Sequence, residues 1–466
     1  MTPSVQRCPA RVVVGIAALI LVWQLILPPA VSMANNGDFG KLLGRFGLGS
    51  DVVFKHPNTR YVFADRYRWN SKVWSSELLL ILPALALNRV LSKDGSFDLR
   101  LMGLTQGGLF LVAVSLFVPL LDGSSRGIQI AICAATLFMF CDFTYAGYLN
   151  TVYMDVAAYL FLLLAVVLYL RAVRWHRPAD SALLAICCAL LVTSKPQHAI
   201  LAIGFAILFW VERGVLWRGR NLVAGAVCLA LLCLMPVTLR FFIPHDYWAT
   251  TAFNVIFAQI LPNSRNVDGA LRELGLDDSY RPWIGKNAFS PGSQLEDPAF
   301  YEPFLRRVSH EEIAMFYLRH PSDAYRAFRT TLGEAGRYRL PMGNFDVSSG
   351  KPPLTENRSF SLWSDLKRRL YYHRGPRLLF SFLGLAALVA ALLAANRRSF
   401  PAGAMAGGVA FLCMAFLEMT VSSLAEIFDP ARHNLIFFAQ FDMLLLAAIW
   451  LAERYVREKW GSLRVR

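Results

Sequence analysis

Runs of apolar residues close to the length of a bilayer crossing recur along this chain, and nothing constrains its fold more. The first covers residues 12–33. Others cover 101–121, 127–140, 155–170, 221–242, 378–395, 402–421 and 434–451. A helix needs roughly 20 such residues to cross ~30 Å of hydrocarbon. Apolar residues make up 56% of the chain and charged residues 17%, too few charges to cover a soluble surface. The first run is long for a signal peptide, and with so many spans behind it reads as a start-anchor. The expected fold class is an all-α polytopic membrane protein.

Basic residues give the sidedness, because short loops rich in Lys and Arg stay in the cytoplasm. Arg171, Arg174 and Arg177 mark one such loop. Arg213, Arg218 and Arg220 mark a second, Arg397 and Arg398 a third, and the tail from Arg454 to Arg466 a fourth. Both ends of 181–211 are then cytoplasmic, so this stretch is expected to be a hairpin. Its turn is Ser194-Lys195-Pro196-Gln197-His198, where Pro196 breaks the helix. Each arm has about 14 apolar residues, roughly 21 Å of helix, so the turn is expected to lie recessed on the outer side.

On this reading 141–154, 243–374 and the last turn, 425–433, face outside. The first loop carries Lys41, Arg45, Arg60, Arg66 and Arg68, which by charge alone would place it inside. Segment 77–89 decides. Its apolar run is about ten residues, ~15 Å, and Pro83 interrupts it, too short to cross. If it only dips into the outer leaflet, 35–100 is external and the chain has about ten transmembrane helices with both termini inside. If it crosses, the first loop moves to the cytoplasm. The expected organisation is an N-terminal transmembrane module (1–242), a mid-chain extracytoplasmic helical domain (243–374) and C-terminal transmembrane helices (375–466).

A net charge of +15 does not call for nucleic acid, because no basic helix, finger or repeat carries it. Cytoplasmic loops and anionic membrane lipids account for it. The eight cysteines lie almost entirely in apolar runs, with neither a disulfide framework nor metal-ligand spacing. In the polar segment, Ser309-His310-Glu311-Glu312 is a capping box for a helix over 311–319, followed by an amphipathic stretch over 322–335.

Four clusters offer chemistry. Asn35-Asn36-Gly37-Asp38-Phe39-Gly40 follows the first helix, with Gly37 and Gly40 freeing the backbone to aim Asp38. A carboxylate within reach of a hydroxyl can take its proton as that oxygen attacks. Asn150, Tyr153 and Asp155 form the second cluster, with Asp155 opening a helix. Lys195 and Gln197 sit in the recessed turn, where an unpaired lysine costs several kcal/mol and calls for a partner. Glu426, Asp429, Arg432 and His433 occupy the last external turn, with Gln440 and Asp442 further along the final helix. External acids and recessed cations are what a lipid-phosphate-linked substrate needs. The acid activates an acceptor, and the cations stabilise the departing phosphate.

These motifs resemble the GT-C superfamily of integral membrane glycosyltransferases, and within it bacterial glycan-biosynthesis hexosyltransferases. The residues that carry the likeness are Asn36-Gly37-Asp38-Phe39, the stretch Tyr148 to Asp155, Lys195-Pro196-Gln197, the stretch Phe316 to Pro321, and Arg432-His433 with Phe441-Asp442. The resemblance implies Asp38 as general base, a polyprenyl-phosphate sugar donor, a glycan or lipid-linked acceptor and inversion at the anomeric carbon. It also implies juxtamembrane helices in the first loop, and a site facing the periplasm or cell exterior of a bacterial inner membrane. Asp155 stands alone where relatives often carry paired acids, so no cofactor is called for and a divalent metal stays open.

The expected function is therefore a membrane glycosyltransferase, with Asp38 catalytic and Lys195, Arg432, His433, Asn150, Tyr153, Asp155 and Gln197 holding the donor and its phosphate. An O-antigen ligase or polymerase would instead rely on residues such as His310, Arg319 and His320. A transporter or flippase of a lipid-linked or anionic substrate would show interrupted helices in matching halves; one interrupted hairpin is present, without a second copy.

Overall fold

A computed structural model describes residues 10–49, 53–64, 73–217, 245–291, 298–397 and 402–464, with three more between 230 and 234. Apart from those three residues the span expected at 221–242 lies outside the described residues, as do Arg66, Arg68, Arg218 and Arg220. The chain is an all-α membrane protein. Among the described residues the only paired strands form a ribbon of β1 (Arg60–Val62) and β2 (Ser96–Asp98), antiparallel, with Tyr61 opposite Phe97. Helices suit a lipid environment because each satisfies its own backbone hydrogen bonds.

Among the described residues five helices are long and apolar enough to cross a membrane: Arg100–Leu121, Met154–Trp175, Gly375–Ala395, Gly403–Leu424 and Leu435–Lys459. A sixth crossing is available if Arg126–Phe140 and Phe143–Asn150, bent by 52°, act as one span. Three shorter apolar helices, Ala10–Leu25, Pro178–Val192 and Pro196–Val211, complete the described set.

The first helix, α1 (Ala10–Leu25), is shorter than the apolar run over 12–33. Pro28 and Pro29 follow it, and proline supplies no N–H to continue the ladder. Beyond it, α2 (Asp38–Leu43) carries the first acidic motif. The segment with Pro83 is a full helix, α3 (Glu77–Leu91), whose 15 residues are fewer than a bilayer crossing needs. Its start is tied to the beginning of α6 (Met154–Trp175), where Glu77 Oε2 accepts from the Ala157 N–H at 2.9 Å. Near its end, Asn88 donates to the Ser96 carbonyl and accepts from the Asp98 N–H, just before α4 (Arg100–Phe117) starts. Both ends of α3 are thus on the face where α6 begins.

The next helix is α5 (Arg126–Phe140). The central helix is α6, 83% of whose apolar window is buried. It packs along α7 (Pro178–Val192), and the hairpin turns back through Pro196 into α8 (Leu201–Val211). At the far end of α6, Arg174 donates to the carbonyls of Leu120 and Asp122 at 2.5 and 2.7 Å. The four C-terminal helices are α13 (Gly375–Ala395), α14 (Ala402–Leu424), the short α15 (Pro430–His433) and α16 (Leu435–Arg464).

Between the two sets, α9 (His245–Phe253), α10 (His310–Arg319), α11 (Pro321–Ala335) and α12 (Leu362–Tyr371) lie on the α2 face. A second apolar core, with Phe253, Phe257, Tyr280 and Phe304 at its centre, holds much of this part together. The expected capping box is present: Ser309 Oγ accepts from the Glu312 N–H, and Glu312 accepts from the Ser309 N–H. The backbone of this part is also stitched to the first loop. The Gly343 N–H donates to Phe54, and Val31 bridges Phe345.

Candidate functional site: a buried polar centre around Arg432

The Asn35–Asp38 turn is built to hold one carboxylate. Gly37 adopts φ 108°, a conformation an L side chain rarely takes. Asn35 Oδ1 caps the turn by accepting from the N–H groups of Gly37 (2.8 Å) and Phe39 (3.2 Å). Asn36 Oδ1 accepts from the Asp38 N–H, and its amide donates to Asp429 at 2.5 Å. The second glycine does not act as expected. Gly40 is an ordinary helical residue inside α2, buried, so only Gly37 bends the backbone.

Asp38 opens α2 with its two oxygens held by different cations. Lys41, one turn on, donates to Oδ1 at 2.6 Å, and Arg432 pairs with Oδ2. Burial alone would raise the Asp38 carboxyl; Lys41 and Arg432 outweigh it and hold the group well below the usual carboxylate range.

Arg432 is the hub. Besides Asp38, its guanidinium lies 3.5 Å from Asp155 and 3.6 Å from Asp429, and stacks 4.7 Å from the Tyr153 ring centre. Only 5% of its side chain is exposed. Asp155, in the first turn of α6, also takes the Lys195 ammonium at 2.9 Å. Lys195 in turn reaches His433 Nδ1 at 2.8 Å. Burial, with Lys195 and Arg432 alongside, pushes His433 well below its usual value and keeps it neutral. Gln197 Oε1 lies 2.9 Å from the same nitrogen, and its amide bonds Glu418, Ser422 and the His433 carbonyl.

Six of the eight residues singled out in the sequence thus meet in one network: Asp38, Asp155, Lys195, Gln197, Arg432 and His433. Tyr153 joins it through its ring, while its hydroxyl donates to the Ala34 carbonyl at 2.6 Å. Asn150 lies to one side. Its amide donates to the carbonyls of Leu25 and Val31, fixing the chain that leaves α1. Glu426 turns its carboxylate onto the N–H groups of Ile427 and Phe428, and burial raises it. Burial raises Asp429 as well, against the pull of Arg432.

Asp442 belongs to another centre. It accepts from Lys367, Tyr145 and Trp363 at 2.7, 2.7 and 2.9 Å, fastening α12 to α16. Arg319 and His320 are engaged with Glu273 at 3.3 and 2.6 Å on the exposed surface. Sequence reasoning passed over Lys41, Glu77, Glu418 and Tyr247. Glu418 carried a readable signal, an acid inside an apolar helix, and Glu77 one at the start of such a helix. The Lys41 signal was its i,i+3 spacing from Asp38. Tyr247 on α9 had none; its ring lies 5.0 Å from Lys41, roofing the site.

The three carboxylates that could converge on a divalent metal, Asp38, Asp155 and Asp429, instead converge on one guanidinium. Among the described residues no group of three or more His, Cys, Asp or Glu side chains has metal-holding geometry. As arranged here, the described residues do not fit a metal.

Fold and site define a multi-pass, all-helical membrane protein with a buried cluster of acids and cations at one end of its bundle. More particularly, residues 3–459 match the family model described as YfdI N-terminal transmembrane domain, and the chain belongs to that family. No curated protein and no solved structure matches it.

Proposed function

We propose that this protein is a glycosyltransferase that moves a sugar from a polyprenyl-phosphate donor to a glycan or lipid-linked acceptor at the extracytoplasmic face. The observation that carries the reading is the shared contact of Arg432 with Asp38 and Asp155. It puts a candidate base and cations for a phosphate within one buried site.

In this mechanism the donor phosphate competes with Asp38 for the Arg432 guanidinium, with Lys195 as a second cation. Guanidinium binds phosphate and carboxylate by the same two-pronged geometry, so the exchange needs no new donor. Asp38, relieved of Arg432, accepts the proton of the acceptor hydroxyl as that oxygen attacks the anomeric carbon. The bond from that carbon to the phosphate oxygen breaks, and its electron pair leaves with the polyprenyl phosphate. Arg432 and Lys195 stabilise the charge that gathers there. The resemblance to GT-C enzymes supports the donor class, and the site end of the bundle is proposed to face the periplasm of a bacterial inner membrane.

The test is turnover of labelled polyprenyl-phosphate sugars by the purified chain in lipid nanodiscs, with Asp38→Asn beside it. We expect release of polyprenyl phosphate with sugar appearing on the acceptor, and loss of both in Asp38→Asn. Full transfer by Asp38→Asn would remove Asp38 as base. Movement of donor across a vesicle membrane without any product would replace the reading with a transporter. The ligase reading predicts dependence on His320, which Glu273 engages away from this site; His320→Ala is expected to keep transfer.

A further inference from the structure

A cavity of about 920 Å³ lies inside the helix bundle, at the upper end of the roughly 300–1,000 Å³ of ligand sites. None of Asp38, Asp155, Lys195, Arg432 or His433 lines it. Along α16 its wall runs from Gln440 to Glu458, roughly 27 Å at 1.5 Å per residue. Between these ends the wall is almost wholly apolar, from residues such as Leu163, Phe205, Phe411 and Leu444.

One end is different. Arg174, Arg454 and Arg457 stand there, on the face that the basic-loop rule assigns to the cytoplasm. Each guanidinium is held in position. Arg174 is fixed by the turn carbonyls of Leu120 and Asp122, and Arg457 by the Gly123 carbonyl and Glu453, both at 2.5 Å. The Arg454 guanidinium lies 5.3 Å from the Trp450 ring centre. Asp122 and Glu458 share this rim. The opposite end stops at Thr136, Phe140 and Gln440, below the polar centre.

A long apolar slot with fixed guanidinium groups at headgroup level recognises one kind of molecule, an amphiphile with a phosphate at the end of a hydrocarbon chain. Basic pockets between transmembrane helices on the cytoplasmic side are where anionic headgroups bind. We propose that this cavity binds one anionic phospholipid, its phosphate at Arg174, Arg454 and Arg457 and an acyl chain along α16. A long polyprenyl chain entering from this end would overrun the slot, so the occupant is an ordinary acyl lipid rather than the sugar donor.

Native mass spectrometry of the full chain in mild detergent tests this, with dioleoyl phosphatidylglycerol, dioleoyl phosphatidylethanolamine and undecaprenyl phosphate as probes. We expect one phosphatidylglycerol retained per chain in preference to phosphatidylethanolamine. The triple variant R174A/R454A/R457A is expected to bind it roughly a hundredfold more weakly, and Arg454→Ala alone about fivefold. Ala447→Phe, which fills the slot without touching the arginines, is expected to abolish retention while unfolding of the lipid-free protein stays unchanged. Equal retention of both phospholipids, unaffected by the triple variant or by Ala447→Phe, overturns the proposal. Displacement of phosphatidylglycerol by undecaprenyl phosphate at lower concentration also overturns it, and would give the slot to an isoprenoid.

Discussion

Asp38 is a carboxylate under two opposing pressures, and which wins decides how it can work. Burial favours its neutral form; Lys41 at 2.6 Å and the paired Arg432 favour the charged form and prevail. Asp38 is therefore ionised in the resting protein but a weak base while Arg432 holds it. The sign follows for stability and for activity. A depressed carboxyl contributes stability that is present at neutral pH and lost as pH falls through its folded value. The acid limb of kcat/KM, which reports the free enzyme, is expected below the usual carboxylate range. Arg432→Gln removes one of the two cations, so beyond lowering the rate it is expected to move that limb upward. An acid limb that stays in place in Arg432→Gln would mean that another group sets it. Asp38→Asn keeps the shape and loses the basic oxygen, and a fall of about 10²–10⁴ in kcat is expected. Lys195 and Asp155 test differently. The pair is 2% and 1% exposed, so Asp155→Asn leaves a buried ammonium short of a partner and is expected to cost roughly 3–5 kcal/mol in stability as well as activity.

At the scale of elements, contact between backbones explains which glycines matter. Gly375 opens α13, and a Cβ placed there would meet the Arg329 carbonyl oxygen of α11 at 2.1 Å. Backbone cannot swing aside as a side chain can, so Gly375→Ala is expected to push α11 from α13 and destabilise by about 1–3 kcal/mol. Gly384, in the middle of the same helix, has open space where its Cβ would go. Gly384→Ala is expected to be neutral or to stabilise by roughly 0.5–1 kcal/mol, since alanine holds a helix better than glycine. Unfolding in graded SDS, read by circular dichroism for both variants, checks the pair; equal midpoints would show that the close approach is not needed. Most elements were legible in the sequence because their signals are local. Apolar length marked the spans, and Ser309 with Glu312 marked the start of α10. Where a competing local rule acted, the expected boundary moved. The run over 12–33 yields only α1 (Ala10–Leu25), because Pro28 and Pro29 outrank apolarity. Conversely Pro83 did not break α3, which runs through it from Glu77 to Leu91.

At the scale of the whole molecule, the sequence suggested a common face for the motifs but carried no sign of the pairings between them. Asp38 and Arg432 are 394 positions apart, and no local pattern says that one guanidinium will serve Asp38, Asp155 and Asp429 together. The same gap separated Asp442 from the site, because its partner Lys367 comes from a helix whose docking only the folded chain reveals. What unites the motifs is the path of α3. Because it returns to the face where α6 begins, the first loop, the α9–α12 segment and the turn at Arg432 share that face. Arg174 and Arg177 lie at the other end of α6, roughly 28 Å away by helix rise over the 19 residues from Asp155 to Arg174. Single cysteines at exposed positions in a cysteine-free background test this arrangement in intact cells. Lys55→Cys in the first loop ahead of α3 and Ser279→Cys between α9 and α10 are expected to react with a membrane-impermeant maleimide, and Arg177→Cys only after the membrane is opened. Labelling of Lys55→Cys from the opposite side to Ser279→Cys would mean that α3 crosses. Asp38 and Arg432 would then lie on different faces, and no shared site could form.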